Sequence, residues 1–99
     1  MIIYNLTLVS LPEIQTKVLS EIKSNYIPAL QKNKHGLNHK VMKVLSGEGN
    51  ESTFALQVSF ESQDNYISFI DTYEYILIEE IQKKFPNQVM PFATLLEEL

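Results

Sequence analysis

The chain opens with strict alternation. Across residues 2–9, Ile2, Tyr4, Leu6 and Leu8 fall on one side, and Ile3, Asn5, Thr7 and Val9 on the other. A period of two is that of a β-strand. The period then lengthens: Ile14, Val18, Leu19, Ile22, Tyr26 and Leu30 recur at helical spacing. Ser10 is placed to cap this helix, with Pro12 and Glu13 in its opening turn. Pro28 lacks an N–H and is expected to kink or end the regular helix, leaving a final turn to about Lys32. Asn33-Lys34-His35-Gly36 reads as the exit, with Gly36 suited to a left-handed conformation.

The second half repeats the scheme. Residues 38–46 read as a strand in which His39, Val41, Lys43 and Leu45 alternate with Lys40, Met42, Val44 and Ser46. Neither side is purely polar, as suits an edge strand or one at a subunit contact. Residues 47–51, with two glycines, read as a hairpin loop. Residues 52–60 are the clearest strand: Phe54, Leu56, Val58 and Phe60 oppose Thr53, Ala55, Gln57 and Ser59. Ser62 and Asp64 start a second helix, striped by Tyr66, Phe69, Ile70, Tyr73, Leu77 and Ile81. Lys83 and Lys84 suit the negative end of its dipole, and Pro86-Asn87 stops it. A last strand over 88–96 holds Val89, Phe92, Leu95 and Leu96.

Two β-α-β units thus share residues 1–99, read as a single domain. Each helix is long enough to make a right-handed crossover, and the short middle loop forces an antiparallel hairpin. The economical solution is an α+β fold of ferredoxin-like βαββαβ order, a four-stranded antiparallel sheet with two helices on one face. The apolar faces of the first and third strands then meet the helices. The other face carries Asn5, Thr7, Gln57 and Ser59 mixed with Ile3, Val9 and Ala55. In a monomer that face is wet; in a dimer it closes against its copy and is either filled or encloses a semi-polar cavity.

Composition narrows the chemistry. With 44% hydrophobic residues the chain can build a core and is not read as disordered. The net charge of −4, with eight lysines and no arginine, repels phosphate backbones, so no nucleic-acid partner is expected. Absence of cysteine excludes disulfides, thiolate catalysis and cysteine-held metal clusters. No window approaches the roughly 20 apolar residues of a membrane span, and the start lacks a basic leader. The expectation is a cytoplasmic protein with no membrane partner.

The opening Met1-Ile2-Ile3-Tyr4-Asn5-Leu6-Thr7, the pair of stretches Tyr26-Ile27-Pro28 and His35-Gly36-Leu37, and the close Phe92-Ala93-Thr94-Leu95-Leu96-Glu97 carry a resemblance. Over essentially its whole length the chain resembles a bacterial family known only as domain of unknown function 4286. The resemblance implies a ferredoxin-like fold of the dimeric α/β-barrel kind, a homodimer, and no established activity. Family members often have histidine before the Ile-Pro pair and Thr-Gly after the helix, where this chain has Tyr26 and His35-Gly36. If that histidine has a catalytic job in the family, this chain lacks it or uses Tyr26 differently.

Candidate chemistry is sparse. His35 and His39 are four apart, but Gly36 and a strand start intervene, and no third ligand is placed by sequence, so no metal or other cofactor is assigned. Four of the five tyrosines lie on apolar stripes and read as core, with Tyr26 beside Pro28 placed to line a pocket at a kink. Glu74, Glu79, Glu80, Glu97 and Glu98 read as solvated. There is no G-x-S-x-G, and three glycines make no phosphate loop. An RNA-recognition module needs basic residues and aromatics on the open sheet face, whereas Phe54 and Phe60 share the helix-facing side. A soft-metal carrier and an acylphosphatase-like site of this topology require, by family resemblance, Cys-x-x-Cys and an arginine, both missing. No catalytic residue is assigned. The candidate cavity lining is Asn5, Thr7, Tyr26, His39, Gln57 and Ser59. The first reading is a homodimer with a binding or structural role and a possible small-molecule ligand. The alternative is a cofactor-free small-molecule enzyme of the dimeric α/β-barrel type, monooxygenase-like.

Overall fold

Alternating apolar side chains draw four segments into one sheet. The computed structural model describes residues 1–47 and 52–99. Its strands are β1 (Ile2–Ser10), β2 (Asn38–Lys43), β3 (Thr53–Phe60) and β4 (Val89–Glu97), in the order β2-β3-β1-β4. Every neighbouring pair is antiparallel. Helices α1 (15–32) and α2 (63–84) connect β1 to β2 and β3 to β4. Both cover one face, the ferredoxin-like arrangement that the order of elements predicts.

The core is the slab between sheet and helices. Register sets Tyr4 beside Val58, Leu6 beside Leu56 and Leu8 beside Phe54. These side chains meet Val18, Ile22 and Leu30 of α1 and Phe69, Leu77 and Ile81 of α2, all buried. Burial of each such side chain contributes about 1.5–3 kcal/mol relative to exposure. β4 contributes less: Val89 is buried, while Leu95 on the same side stays 48% exposed.

Both helices contain a widened turn. In α1 it spans Ile22–Tyr26, and the Ile27 N–H reaches back to the Ile22 carbonyl. Pro28 lies one residue further and has no N–H to give, so the helix widens before it and continues to Lys32 rather than ending. In α2 the matching turn spans Ile70–Glu74. There the Thr72 hydroxyl donates to the Ser68 carbonyl at 2.6 Å, competing for an acceptor of the backbone ladder.

The caps divide between expectation and correction. Ser62 caps α2, its hydroxyl accepting from the Asn65 N–H at 3.2 Å. Ser10 does not cap α1: it is the last residue of β1, and its hydroxyl donates to the Ser52 carbonyl at 3.0 Å. A short turn at Pro12–Ile14 begins the helical segment instead, with Leu11 in the cap position. At the other end of α1 the left-handed residue that closes the helix is Lys34, at φ +59°. Its N–H donates to Gln31 and that of His35 to Leu30, which satisfies the last carbonyls. Gly36 is left-handed as well, at φ +85°, two residues later. Regular pairing of β2 ends at Lys43, although the Val44 N–H still donates to Thr53. Of the hairpin loop expected over 47–51, residues 48–51 lie outside the described residues.

Candidate functional site: the open face of the sheet

Because side chains alternate, the core face dictates its opposite. With Tyr4, Leu6 and Leu8 turned to the helices, Ile3, Asn5, Thr7 and Val9 face away from them. Register extends each position into a row across the sheet. Lys40, Gln57, Asn5 and Thr94 form one row, and Met42, Ala55, Thr7 and Phe92 form the next.

A hydrogen-bonded strip runs along the middle. The Gln57 side-chain amide donates to Asn5 Oδ1 at 3.1 Å. Asn5 Nδ2 in turn donates to Thr7 Oγ1 at 3.1 Å. All three residues are half-buried. Their mutual bonds fix the rotamers and leave one N–H on each amide and the Thr7 hydroxyl hydrogen pointing to other partners. Around the strip stand half-exposed apolar side chains: Met42, Met90, Phe92 and Leu96, of which Phe92 is 51% exposed. An apolar rim around a small polar centre is the composition of a ligand or subunit surface.

Four of the six candidate residues share this surface: Asn5, Thr7, Gln57 and Ser59. Tyr26 and His39 do not. Tyr26 is buried in α1 on the far side of the sheet. Lys40 and Met42 belong to the open face, so His39 between them turns to the helix side, where Nε2–H donates to the His35 carbonyl at 2.6 Å. The cavity lining expected around Tyr26 and His39 is thus corrected by one step of strand parity and by the depth of the helix stripe. Reading residues one at a time also missed Lys40, Thr94 and the rim. Pairing β4 antiparallel to β1 and following its parity would have found Thr94, Phe92 and Met90.

Under the helices lies an aromatic cluster. Tyr4 meets Phe69 with ring centroids 5.1 Å apart, and His35 meets Tyr73 at 4.8 Å and Phe69 at 5.5 Å. Burial lowers the pKa of His35 below the usual histidine value. Burial also raises the Tyr26 phenol to about 12, assisted by the carboxylates of Glu21 and Glu80. Tyr4 is raised further, by burial first and by the Glu74 carboxylate facing its hydroxyl second. The histidines, aspartates and glutamates are dispersed: among the described residues no three converge on a metal-sized site.

Concave surface lies elsewhere too. A groove of about 590 Å³ between the end of β1 and residues 86–91 is lined by no titratable side chain. A groove of about 600 Å³ beside α1 holds Glu21 and Lys84, already paired with each other at 3.6 Å. A polar cleft of about 260 Å³ is lined by Lys34, His35, Glu61 and Asn65 among others. None of these has the open face's combination of a bonded polar strip and an uncovered apolar rim.

No helix among the described residues is long and apolar enough to cross a membrane. No curated protein matches the chain. Solved structures do. An ethyl tert-butyl ether d (ethd) family protein from Bacillus halodurans aligns over all of both chains at 15% identity and a TM-score of 0.71. A monooxygenase of Streptomyces coelicolor, solved with the ligand Nanaomycin D, aligns over 99% of this chain and 87% of its own, at 14% identity and a TM-score of 0.71. A dimeric ferredoxin-like protein from an uncultured marine organism aligns over 99% of this chain and 96% of its own, at 18% identity and a TM-score of 0.60. These likenesses establish the fold. The model of the domain of unknown function family DUF4286 matches residues 1–99, and the chain belongs to that family.

Proposed function

We propose that the chain works as a cytoplasmic homodimer, joined through the open faces of two sheets, which enclose a small-molecule binding site around Asn5, Thr7 and Gln57. The observation that carries this reading is the bonded strip Gln57–Asn5–Thr7 inside a rim of exposed Met42, Met90, Phe92 and Leu96. Four strands at about 4.8 Å spacing, averaging about eight residues at about 3.3 Å each, present roughly 500 Å² in projection. Side-chain relief brings that near the roughly 800 Å² per partner of a standard interface. A second copy supplies an apolar rim matched to this one, as a two-fold contact requires. The likeness to a dimeric ferredoxin-like protein from an uncultured marine organism supports a dimer.

Light scattering of the purified chain tests this directly. The expected mass is that of two chains, and Phe92→Asp, which sets a charge in the rim, is expected to give one. A monomeric wild type at working concentration overturns the proposal.

The likeness to the Streptomyces coelicolor monooxygenase favours a second reading, an oxygen-dependent enzyme acting on a molecule held at this same face. Nanaomycin D is the probe at hand. Oxygen uptake that depends on it, and that falls in Asn5→Ala and Gln57→Ala, supports the enzyme. Binding without uptake leaves the binding role.

A further inference from the structure

The open face carries a single charge. Lys40 is its one ionisable side chain among the strand residues, and no carboxylate joins it there. The chain has 12 acidic residues against eight lysines, yet none stands on this face within the four strands; Glu61 and Glu98 lie just beyond the ends of β3 and β4. No ion pair engages Lys40 among the described residues. Register puts the Lys40 position beside Gln57, Gln57 beside Asn5, and Asn5 beside Thr94. An ammonium, two side-chain amides and a hydroxyl therefore cross the sheet in one row.

Closing this face creates a requirement. An ammonium taken out of bulk water needs a counter-charge, or its desolvation goes uncompensated. A second copy brings the same lysine and the same lack of carboxylates. Within the paired strands the counter-charge therefore has to come from a third body. Resting on the closed-face reading above, we infer that the row Lys40–Gln57–Asn5 binds the carboxylate of a small organic acid, whose apolar body lies over Met42 and Ala55 of the adjoining row and reaches past Thr7 toward Phe92. The amides match a carboxylate in their remaining donors: Gln57 and Asn5 each keep an N–H beyond the bonds within the strip. The two carboxylate oxygens accept from the ammonium and an amide together. One cation per chain balances one carboxylate, while a phosphate dianion would bring a second charge without a partner.

Calorimetric titration of the full-length chain with phenylacetate, phenylacetamide and inorganic phosphate tests the site. Light scattering on the same samples reports assembly. Phenylacetate is expected to bind once per chain, at least about tenfold more tightly than the neutral amide, as one charge-assisted contact provides. Lys40→Met keeps the apolar stem and is expected to remain dimeric while losing that preference. Equal binding of acid and amide overturns the inference, as does a preference that survives Lys40→Met, or phosphate binding as tightly as phenylacetate. Absence of phenylacetate binding up to about 10 mM overturns it as well. A dimer that binds the amide without favouring the acid removes only the carboxylate assignment. A monomeric wild type removes the closed face and this site together.

Discussion

Tyr26 carries a phenolic oxygen into the core with nothing to bond. Leaving a buried hydroxyl unpaired costs about 1–3 kcal/mol, so the ring stays for its packing and the oxygen opposes it. Tyr26→Phe keeps the ring and removes the oxygen. At neutral pH it is expected to leave stability unchanged or raise it by about 1 kcal/mol. The alkaline limb gives the sharper reading. The folded Tyr26 phenol is raised from 10 to about 12 by burial and by Glu21 and Glu80. The unfolded chain therefore ionises first. The contribution is complete below pH 10 and is lost as pH rises from 10 through about 12. Tyr26→Phe should flatten that decline in urea midpoints measured across the alkaline range. An equally steep decline in the variant would show that Tyr26 is not its source.

At the scale of elements, the exit of α1 stacks two left-handed residues with opposite demands. Lys34 sits at φ +59° with a side chain that disfavours it, and Gly36 sits at φ +85° with none. A Cβ at Gly36 would run into Val58 and lie 3.1 Å from the Ser59 carbonyl oxygen. Gly36→Ala is expected to cost about 2–4 kcal/mol from backbone strain and overpacking. Lys34→Gly should gain up to about 1 kcal/mol at the helix cap. Urea midpoints at constant slope check both, and equal effects at the two sites would refute the assignment. This segment also shows where sequence was legible. Gly36 announced a left-handed turn, but nothing local marked Lys34 as the residue that closes the helix. Periodicity found every strand and both helices, because burial enforces it over many residues. The widened turns at Ile22–Tyr26 and Ile70–Glu74 left no such trace, since a one-residue shift in helical bonding barely disturbs the apolar stripe. Asn5, Thr7, Gln57 and Ser59 were legible as a surface because parity alone places them. Tyr26 and His39 were not, because their positions depend on helix depth and on which face of β2 turns inward.

The whole molecule has two faces of unequal finish. Beneath the helices the sheet is sealed, with Leu6, Leu8, Leu56 and Val58 fully buried. On the other side Met90, Phe92 and Leu96 stand exposed on β4, an edge strand nine residues long. Such an apolar face invites association, and if the partner is a second copy, folding and pairing are linked. Stability then depends on concentration, which a self-contained monomer forbids. A hundredfold rise in protein concentration should add about 2.7 kcal/mol per dimer and move the thermal midpoint upward. Phe92→Asp should abolish that dependence while circular dichroism keeps its helix and strand signal, because Phe92 lies outside the core. A wild-type midpoint that stays fixed over the same range would make the open face a wetted surface of a monomer. A variant that loses its secondary structure would place Phe92 in the fold rather than in the interface. Thr94→Ala, in the polar row of the same strand, should keep the concentration dependence, since removing a small hydroxyl leaves the apolar rim that drives pairing intact.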